Sequence, residues 1–549
     1  MKMPFALRSV LLLLLSCSFF LTPAIAQQKG ANDDALLTAM RAELDRSKSQ
    51  LKMDQVPSPY YIEYRVFDVD QYSAEAAFGA LRSDVRTRFR FLRVVVRIGD
   101  YKQDSYFRQG EGILDYIPID DDMLAFRHQL WLATDRAYKA AAESLTAKQS
   151  QLKQFTIDQP VDDFAHADPV QSIGPLATLD FHPEPWKKML QDASVLYKND
   201  PEIELFESRL NFHAVNRYFV NSEGTAVRSG QTFYEMTISC RTQASDGMSL
   251  ARDNAFTVSE MKQLPSATDF VARAAKLAGT LKELRDALVV EEEYRGPVLF
   301  SADASAAVFA DLVGDNLLGH KPELGKNART TGAFAASYKT RILPDFLAVV
   351  DDPTLASYGG QPLLGHYDID DEGVRAQRVS LVEHGNLVNY ALGREPIRDF
   401  PASNGHGRAR VPTAAAGPSL GNLIVTSSQP LSHDELKKRF LDICRQRDLP
   451  YCYYVETFAG RLTPRLLYRV YSKDGHQELV RGAAFGDLDI RALRSDLVAA
   501  GDDAYIDDRL LNIPHSIVAP SILFDELEVK RANVNKEKLP EYPAPPVGN

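Results

Sequence analysis

The chain has 549 residues, more than one ordinary hydrophobic core accommodates, so two domains are expected. It is 45% hydrophobic and 25% charged, which excludes a disordered or fibrous class. A formal net charge of −11 argues against sequence-independent binding to nucleic acid, whose phosphates require a basic surface.

At the start, Lys2 and Arg8 precede an apolar run from Val10 to Leu21. Ala24-Ile25-Ala26 then supplies the small residues a signal peptidase reads. This predicts a signal peptide over residues 1–26, a mature start at Gln27 and a periplasmic or extracellular protein. Leu14-Leu15-Ser16-Cys17 loosely fits lipoprotein processing, so a lipid anchor at Cys17 is the alternative. No other segment has the apolar length needed to cross a bilayer. Cleavage leaves Cys240, Cys444 and Cys452, an odd count, so at least one thiol stays free or pairs between chains. Cys444 and Cys452 are near enough in sequence to close a small loop. No paired C-x-x-C spacing suggests a thiolate zinc cluster.

An amphipathic helix follows, capped by Asn32 or Asp33, with Leu37, Met40, Leu44 and Leu51 at helical spacing. Ile62, Tyr64 and Val66 alternate with Glu63 and Arg65 as in a strand. A second strand is predicted over 89–98. Around it Arg86, Arg88, Arg90, Arg93 and Arg97 alternate with apolar residues, which reads as a sheet face wetted by solvent. Leu124, Leu130, Trp131, Tyr138 and Leu145 mark a long helical region, and 166–185 reads as a connection. Two extended runs flank Asn221-Ser222-Glu223-Gly224, a hairpin signal because Asn and Gly tolerate positive φ. A helix over 267–288 leads to Glu291-Glu292-Glu293, where the domain boundary is placed.

The second half opens with a strand over 297–300 and a small-residue helix over 304–318. Short extended segments follow at 346–350, 376–382, 387–392, 422–425, 466–471 and 522–529. The expected fold is α+β: a mixed α/β domain over residues 30–290, then a β-rich domain, sandwich or barrel-like, over 296–531. A Pro-rich tail covers 532–549.

Several pieces of the second half match a known family in order. Val349-Val350-Asp351-Asp352-Pro353-Thr354-Leu355 looks like its V-D-D-x-T-L segment. Asp370-Asp371-Glu372-Gly373 with Gln377-Arg378 resembles its D-D-E-G-x-x-x-Q-R signature. Leu381-Val382-Glu383-His384-Gly385-Asn386-Leu387 resembles its L-I-E-N-G-V-L hairpin, and Asn404-Gly405-His406-Gly407-Arg408 its G-N-G-R neighbourhood. By these motifs the chain is similar to the TldD/PmbA metallopeptidase-like family, also called modulators of DNA gyrase. Read from the residues alone, the Asp370–Gly373 stretch is a solvated turn between strands. Its side chains would accept backbone N–H bonds and Gly373 would supply the special dihedral; divalent-cation binding is the alternative.

Active members of the family carry H-E-x-x-x-H on the first helix of the second domain and a Cys near the C-terminus. Two imidazoles and a thiolate hold zinc, and the Glu acts as general base on the metal-bound water. Aligned on Val313-Gly314, this chain places Ala310 and Asp315 at the two His positions and Asp311 at the Glu position. The stretch Asn512-Ile513-Pro514-His515-Ser516-Ile517 near the Cys position holds no Cys. The resemblance therefore implies a PmbA-like member without its own zinc or other cofactor.

Asp311 and Asp315 stand four apart on one expected helical face and His320 follows, so these three are the candidate ligands of an atypical site suited to zinc, manganese or iron. His406 and His515 are further candidates to approach it. His476-Gln477-Glu478-Leu479-Val480 is not an H-E-x-x-H motif and reads as strand or turn; no G-x-S-x-G elbow or phosphate loop is present.

Two functions from different classes follow. One is a non-catalytic peptide-binding subunit that takes a peptide as an added sheet strand. It would form a homodimer, or a heterodimer with a zinc-containing paralogue. The other is an active metallopeptidase with an atypical metal site that cleaves unfolded peptides. An unrelated envelope role, such as ligand binding on a reused fold, is a third reading.

Overall fold

The computed structural model describes residues 34–536, apart from 157–159, 412, 414, 511, 512 and 535. The expected signal peptide, Cys17 and most of the Pro-rich tail lie outside the described residues.

Helix α1 (Ala35–Gln50) starts one or two residues later than expected. Its cap is Asp34, whose side chain accepts the Leu37 N–H at 3.0 Å. Strands β1 (Tyr61–Ala77) and β2 (Ala80–Arg97) form a long hairpin, and β3 (Ile113–Ile117) pairs on the outside of β2. Helix α2 (Met123–Leu152) matches the predicted helical region. After β4 (Gln171–Ile173) and α3 (Pro183–Val195), a second long hairpin pairs β5 (Leu205–Asn221) with β6 (Ala226–Gln243). Its turn is the predicted one: Asn221 Oδ1 accepts the N–H groups of Glu223 and Thr225 at 3.1 and 3.0 Å, and Gly224 has φ 105°. Strand β7 (Ser249–Val258) and helix α4 (Ala267–Asp286) complete this half.

These strands make one seven-stranded sheet of order β3-β2-β1-β5-β6-β4, with β7 paired to β6. Side chains alternate between its faces. Ile62, Tyr64 and Val66 pack under α1 and α2, while Tyr72, Ala74 and Ala76 meet α3 and α4 on the same face. The opposite face presents Phe67, Val69, Phe91, Val215 and Phe233, which pack against Leu364 and Ala409 of the second half.

The expectation of one wet arginine face is overturned: Arg93 and Arg97 lie on the face covered by the second half, whereas Arg86, Arg88 and Arg90 lie on the opposite face, paired across from Tyr72, Asp70 and Asp68. Arg86 and Arg88 are half exposed, but Arg90, Arg93 and Arg97 are buried. Each buried guanidinium has acceptors that offset its desolvation. Arg90 binds Asp68 at 2.7 Å, Arg97 binds Asp104 at 2.7 Å beneath the Phe164 ring, and Arg93 donates to the backbone carbonyl of Thr413.

The second half holds two further sheets. Strand β8 (Leu288–Val289) joins the end of an eight-stranded sheet, directly after α4. Strand β9 (Tyr294–Phe300) lies inside that sheet, between Tyr451–Ala459 and Ile522–Arg531. A six-stranded sheet has the order 386–387, 379–383, 347–351, 422–427, 515–519, 505–509. One apolar core, running from Val298 and Phe300 through Val308 and Phe309 to Val349 and Leu381, joins the two sheets through helix α5 (Ala302–Val308). Neither strand order closes on itself, so the region is strand-rich and sandwich-like with no closed barrel. The predicted strand over 387–392 survives only as Asn386–Leu387. Helix α6 (His433–Gln446), opened by a Ser432/Glu435 capping box, was not expected. No described helix is long and apolar enough to cross a membrane.

A disulfide joins Cys444, on α6, to Cys452, on the adjoining strand, while Cys240 is a buried free thiol. In denatured protein that starts at Gln27, thiol titration is expected to find one thiol before reduction and three after. The Cys444→Ser/Cys452→Ser double variant is expected to lose about 2 kcal/mol of unfolding free energy in urea, the value for closing so short a loop.

Candidate functional site

Helix α5 ends at Val308. The chain continues through a π-type turn (Phe309–Val313) and a 3-10 turn (Gly314–Leu317). The regular α-helical spacing that would align Asp311 with Asp315 is therefore absent. Ala310 is buried in the apolar core. The Asp311 carboxylate faces the Arg509 guanidinium at 3.6 Å. His320 lies near Asp315, and burial pushes its imidazole down while Asp315 pulls it up. His406 is held elsewhere, with Nε2 3.1 Å from Asp351 Oδ1 and Nδ1 3.0 Å from Asn404 Oδ1, so both ring nitrogens are engaged. His515 Nδ1 lies 2.8 Å from the Ile513 carbonyl. Among the described residues, no three His, Cys, Asp or Glu side chains converge as a metal site requires. At the positions that the resemblance assigns to zinc, Ala310 offers a methyl, Asp311 a carboxylate beside a guanidinium and Asp315 a second carboxylate, a set that does not fit a zinc ion.

The Asp370–Gly373 turn is not solvated. It is buried against the first sheet, and the positive charges beside it are arginines. Asp370 Oδ1 accepts the N–H of Val374 at 2.8 Å and Oδ2 that of Gly407 at 2.9 Å. Asp371 accepts the Ala409 N–H at 2.7 Å and Arg408 Nε at 3.2 Å, and Arg217 of β5 lies 3.8 Å away. Its carboxyl stays below the usual range: burial opposes ionisation, but Arg408 and Arg217 outweigh it. Glu372 Oε2 accepts the Arg394 N–H at 2.7 Å. Burial pushes Asp370 and Glu372 up, and Glu372 adds to the rise of Asp370 by repulsion. Gly373 has φ 82°, and a Cβ there would stand 2.8 Å from Thr225 and 2.9 Å from Phe219 of the first-half hairpin.

Arg394 completes this latch. Fully buried, it donates to the Ala165 carbonyl at 3.0 and 2.7 Å and to Glu223 at 2.8 Å, with its guanidinium over the Phe164 ring. These residues thus bind the halves together.

A groove of about 580 Å³ opens on the other flank of α5. One wall is β7, which pairs only with β6 among the described residues. The opposing walls carry Asp303 of α5, the 361–364 segment, Thr457, and Tyr505 to Asp508. Within it, Arg252 Nε and Asn254 Oδ1 are buried with no partner among the described residues. Burial, with Asp507 and Glu456 nearby, pushes the Asp303 carboxyl up to about 6 against a Tyr505 hydrogen bond. Burial also pushes Asp508 up to about 6, although Ser516 Oγ donates to it at 2.5 Å. Sequence reasoning missed these residues; their only signal was the acidic pair Asp507-Asp508 in a segment of strand-like alternation.

Comparison with known proteins agrees with this architecture. Residues 293–531 match the family model described as the PmbA/TldA metallopeptidase C-terminal domain. A metalloprotease of Methanocaldococcus jannaschii is 25% identical over 286 residues, covering 50% of this chain and 56% of that protein. A metalloprotease of Archaeoglobus fulgidus is 26% identical over 113 residues, covering 20% of this chain and 25% of that protein. The chain thus spans about half the length, or less, of these curated relatives. Among solved structures, TldE from Thermococcus kodakarensis superposes with a TM-score of 0.57 at 13% identity, over 90% of this chain and 100% of that one. A protein described as a modulator of DNA gyrase, from Bacteroides thetaiotaomicron, gives 0.58 at 13% identity over 90% and 98%. The fold is therefore the one seen in TldE. Residues 293–531 carry the C-terminal domain of the PmbA/TldA metallopeptidase family.

Two outcomes follow from these geometries. Arg394→Ala leaves Glu223 buried without its guanidinium and is expected to lower unfolding free energy by about 3–5 kcal/mol. Lys188→Ala, at an exposed pair, is expected to change it by less than about 1 kcal/mol; urea titration of both variants checks this. A carboxyl whose folded pKa is raised favours folding while protonated, and that contribution is lost as pH rises through the folded value. Asp303→Asn removes one such titration, so its melting temperature relative to wild type is expected to rise from about pH 4 to about pH 7. A difference independent of pH in scanning fluorimetry would contradict the assignment.

Proposed function

We propose that this chain is an exported, peptide-binding member of the family that performs no zinc-dependent hydrolysis and acts beside a second subunit. The observation that carries the reading is the set of side chains at the family's metal position. Ala310 offers no donor, and Arg509 sets a positive charge beside Asp311, which opposes a divalent cation there.

Peptide binding is supported by β7. An extended peptide laid along its outer edge would gain main-chain hydrogen bonds, with side chains entering the groove. The lining holds Asp253, Asp303, Asp507 and Asp508 against Arg252 and Arg465, a balance that favours peptides with basic side chains. Export is supported by the signal-like residues before Gln27 and by the Cys444–Cys452 disulfide, which suits an oxidising compartment. Likeness to TldE supports pairing with a zinc-containing paralogue; a homodimer is the other arrangement.

Elemental analysis of the purified chain is expected to find zinc far below one per chain, with no cleavage of a fluorogenic unfolded peptide. The same chain is expected to bind such a peptide saturably. Ala255→Trp, which fills the groove wall, is expected to weaken that binding about tenfold, near 1.4 kcal/mol. Stoichiometric zinc, lost together with peptide cleavage in Asp311→Ala, would establish the active-enzyme alternative instead.

A further inference from the structure

A second pocket, of about 350 Å³, lies between the two halves and shares no lining residue with the groove along β7. Its charge sets it apart in a chain of net charge −11. Lys102, Lys148, Lys321, Lys326, Arg329 and Arg398 line it, against only Asp163 and Glu323. Half of those cations are neutralised locally. Asp163 takes Lys148 at 2.7 Å and Lys321 at 2.6 Å, and Arg329 binds Asp399 at 2.8 Å.

Arg398 differs. Its sequence neighbour Asp399 is already taken by Arg329. Its Nε is buried and unpaired, and among the described residues no hydrogen bond, ion pair or ring contact reaches its guanidinium. The other arginines with a buried, unpaired Nε each have a partner. Arg65 has Glu63, Arg97 has Asp104 and Arg127 has Glu43. Arg217 has Gln231, Arg252 has Thr457 and Arg469 has Glu478. A partly buried guanidinium is costly to leave unpaired, and its fork matches the two oxygens of a carboxylate or phosphate. Lys102 and Lys326 are exposed at the same pocket with no acidic partner, while Leu152, Leu324 and Ile397 supply apolar wall.

We propose that this pocket binds a small organic anion, a carboxylate or phosphate head on an apolar body. Arg398 grips the head, and Lys102 and Lys326 add long-range attraction. Because Lys102 belongs to the first half and Arg398 to the second, the occupant bridges them.

Calorimetric titration of the full chain at low salt, with hexanoate and separately with inorganic phosphate, tests this. Saturable one-to-one binding of hexanoate alone assigns a carboxylate head with an apolar body; binding of phosphate assigns a phosphate head. Either supports the site, provided that Arg398→Ala weakens binding about tenfold or more and Lys326→Ala weakens it less. Arg398→Ala orphans no partner, so the variant is expected to fold. Should it not, the Lys102→Ala/Lys326→Ala pair, both exposed, carries the test by the same loss. Lys188→Ala, on distant α3, is the control for general charge. No saturable binding of either probe overturns the proposal, as does undiminished binding by Arg398→Ala or an equal loss in Lys188→Ala.

Discussion

The buried charge between the halves is the constraint on which this structure depends. Glu63, Glu223, Asp370, Asp371 and Glu372 are withdrawn from water together with Arg65, Arg217, Arg394 and Arg408. A charge buried alone costs several kcal/mol, so each must meet a partner, and two of the pairs cross between the halves. Arg217 of the sheet faces Asp371 of the turn, and Glu223 of the hairpin faces Arg394 of the second half. Apolar contact alone, as between Phe67 and Leu364, would tolerate sliding. The ion pairs set one register. Strand β8 reinforces it, because the chain enters the second half's sheet only two residues after α4 ends.

With the halves registered in this way, α5 has two flanks. One is absorbed into the apolar core, where Ala310 sits. The other borders the groove, where Asp303 faces Tyr505 and the free edge of β7. The groove has an extended backbone edge and a carboxylate-rich wall, which suits holding a chain segment. Its raised Asp303 and Asp508 carboxyls make the wall more negative as pH rises through about 6.

Elements whose residues follow one period were legible in advance. The Asn221–Gly224 turn, α2, α4 and the strand at Leu347–Asp351 lie close to their predicted places, because each carries its own turn chemistry or apolar stripe. The charged face of the first sheet was not legible. Alternation shows that Arg93 and Arg97 share a face, but not that a second domain covers it. The same limit misplaced the Asp370–Gly373 turn, whose composition is that of a surface loop and whose burial depends on arginines some 150 residues earlier in the chain, such as Arg217. Helix α6 was missed although its Ser432/Glu435 box is visible in the sequence. Asp311 and Asp315 were paired on a helix that in fact changes pitch between them.

The latch also bears on how such proteins are recognised. The stretches that identify the family, around Asp351, Asp370–Gly373 and Gly407–Arg408, are the ones that hold its architecture in place. Selection for folding alone would keep them intact, whatever chemistry the chain performs. Detection by those stretches therefore reports kinship of scaffold and is silent on chemistry.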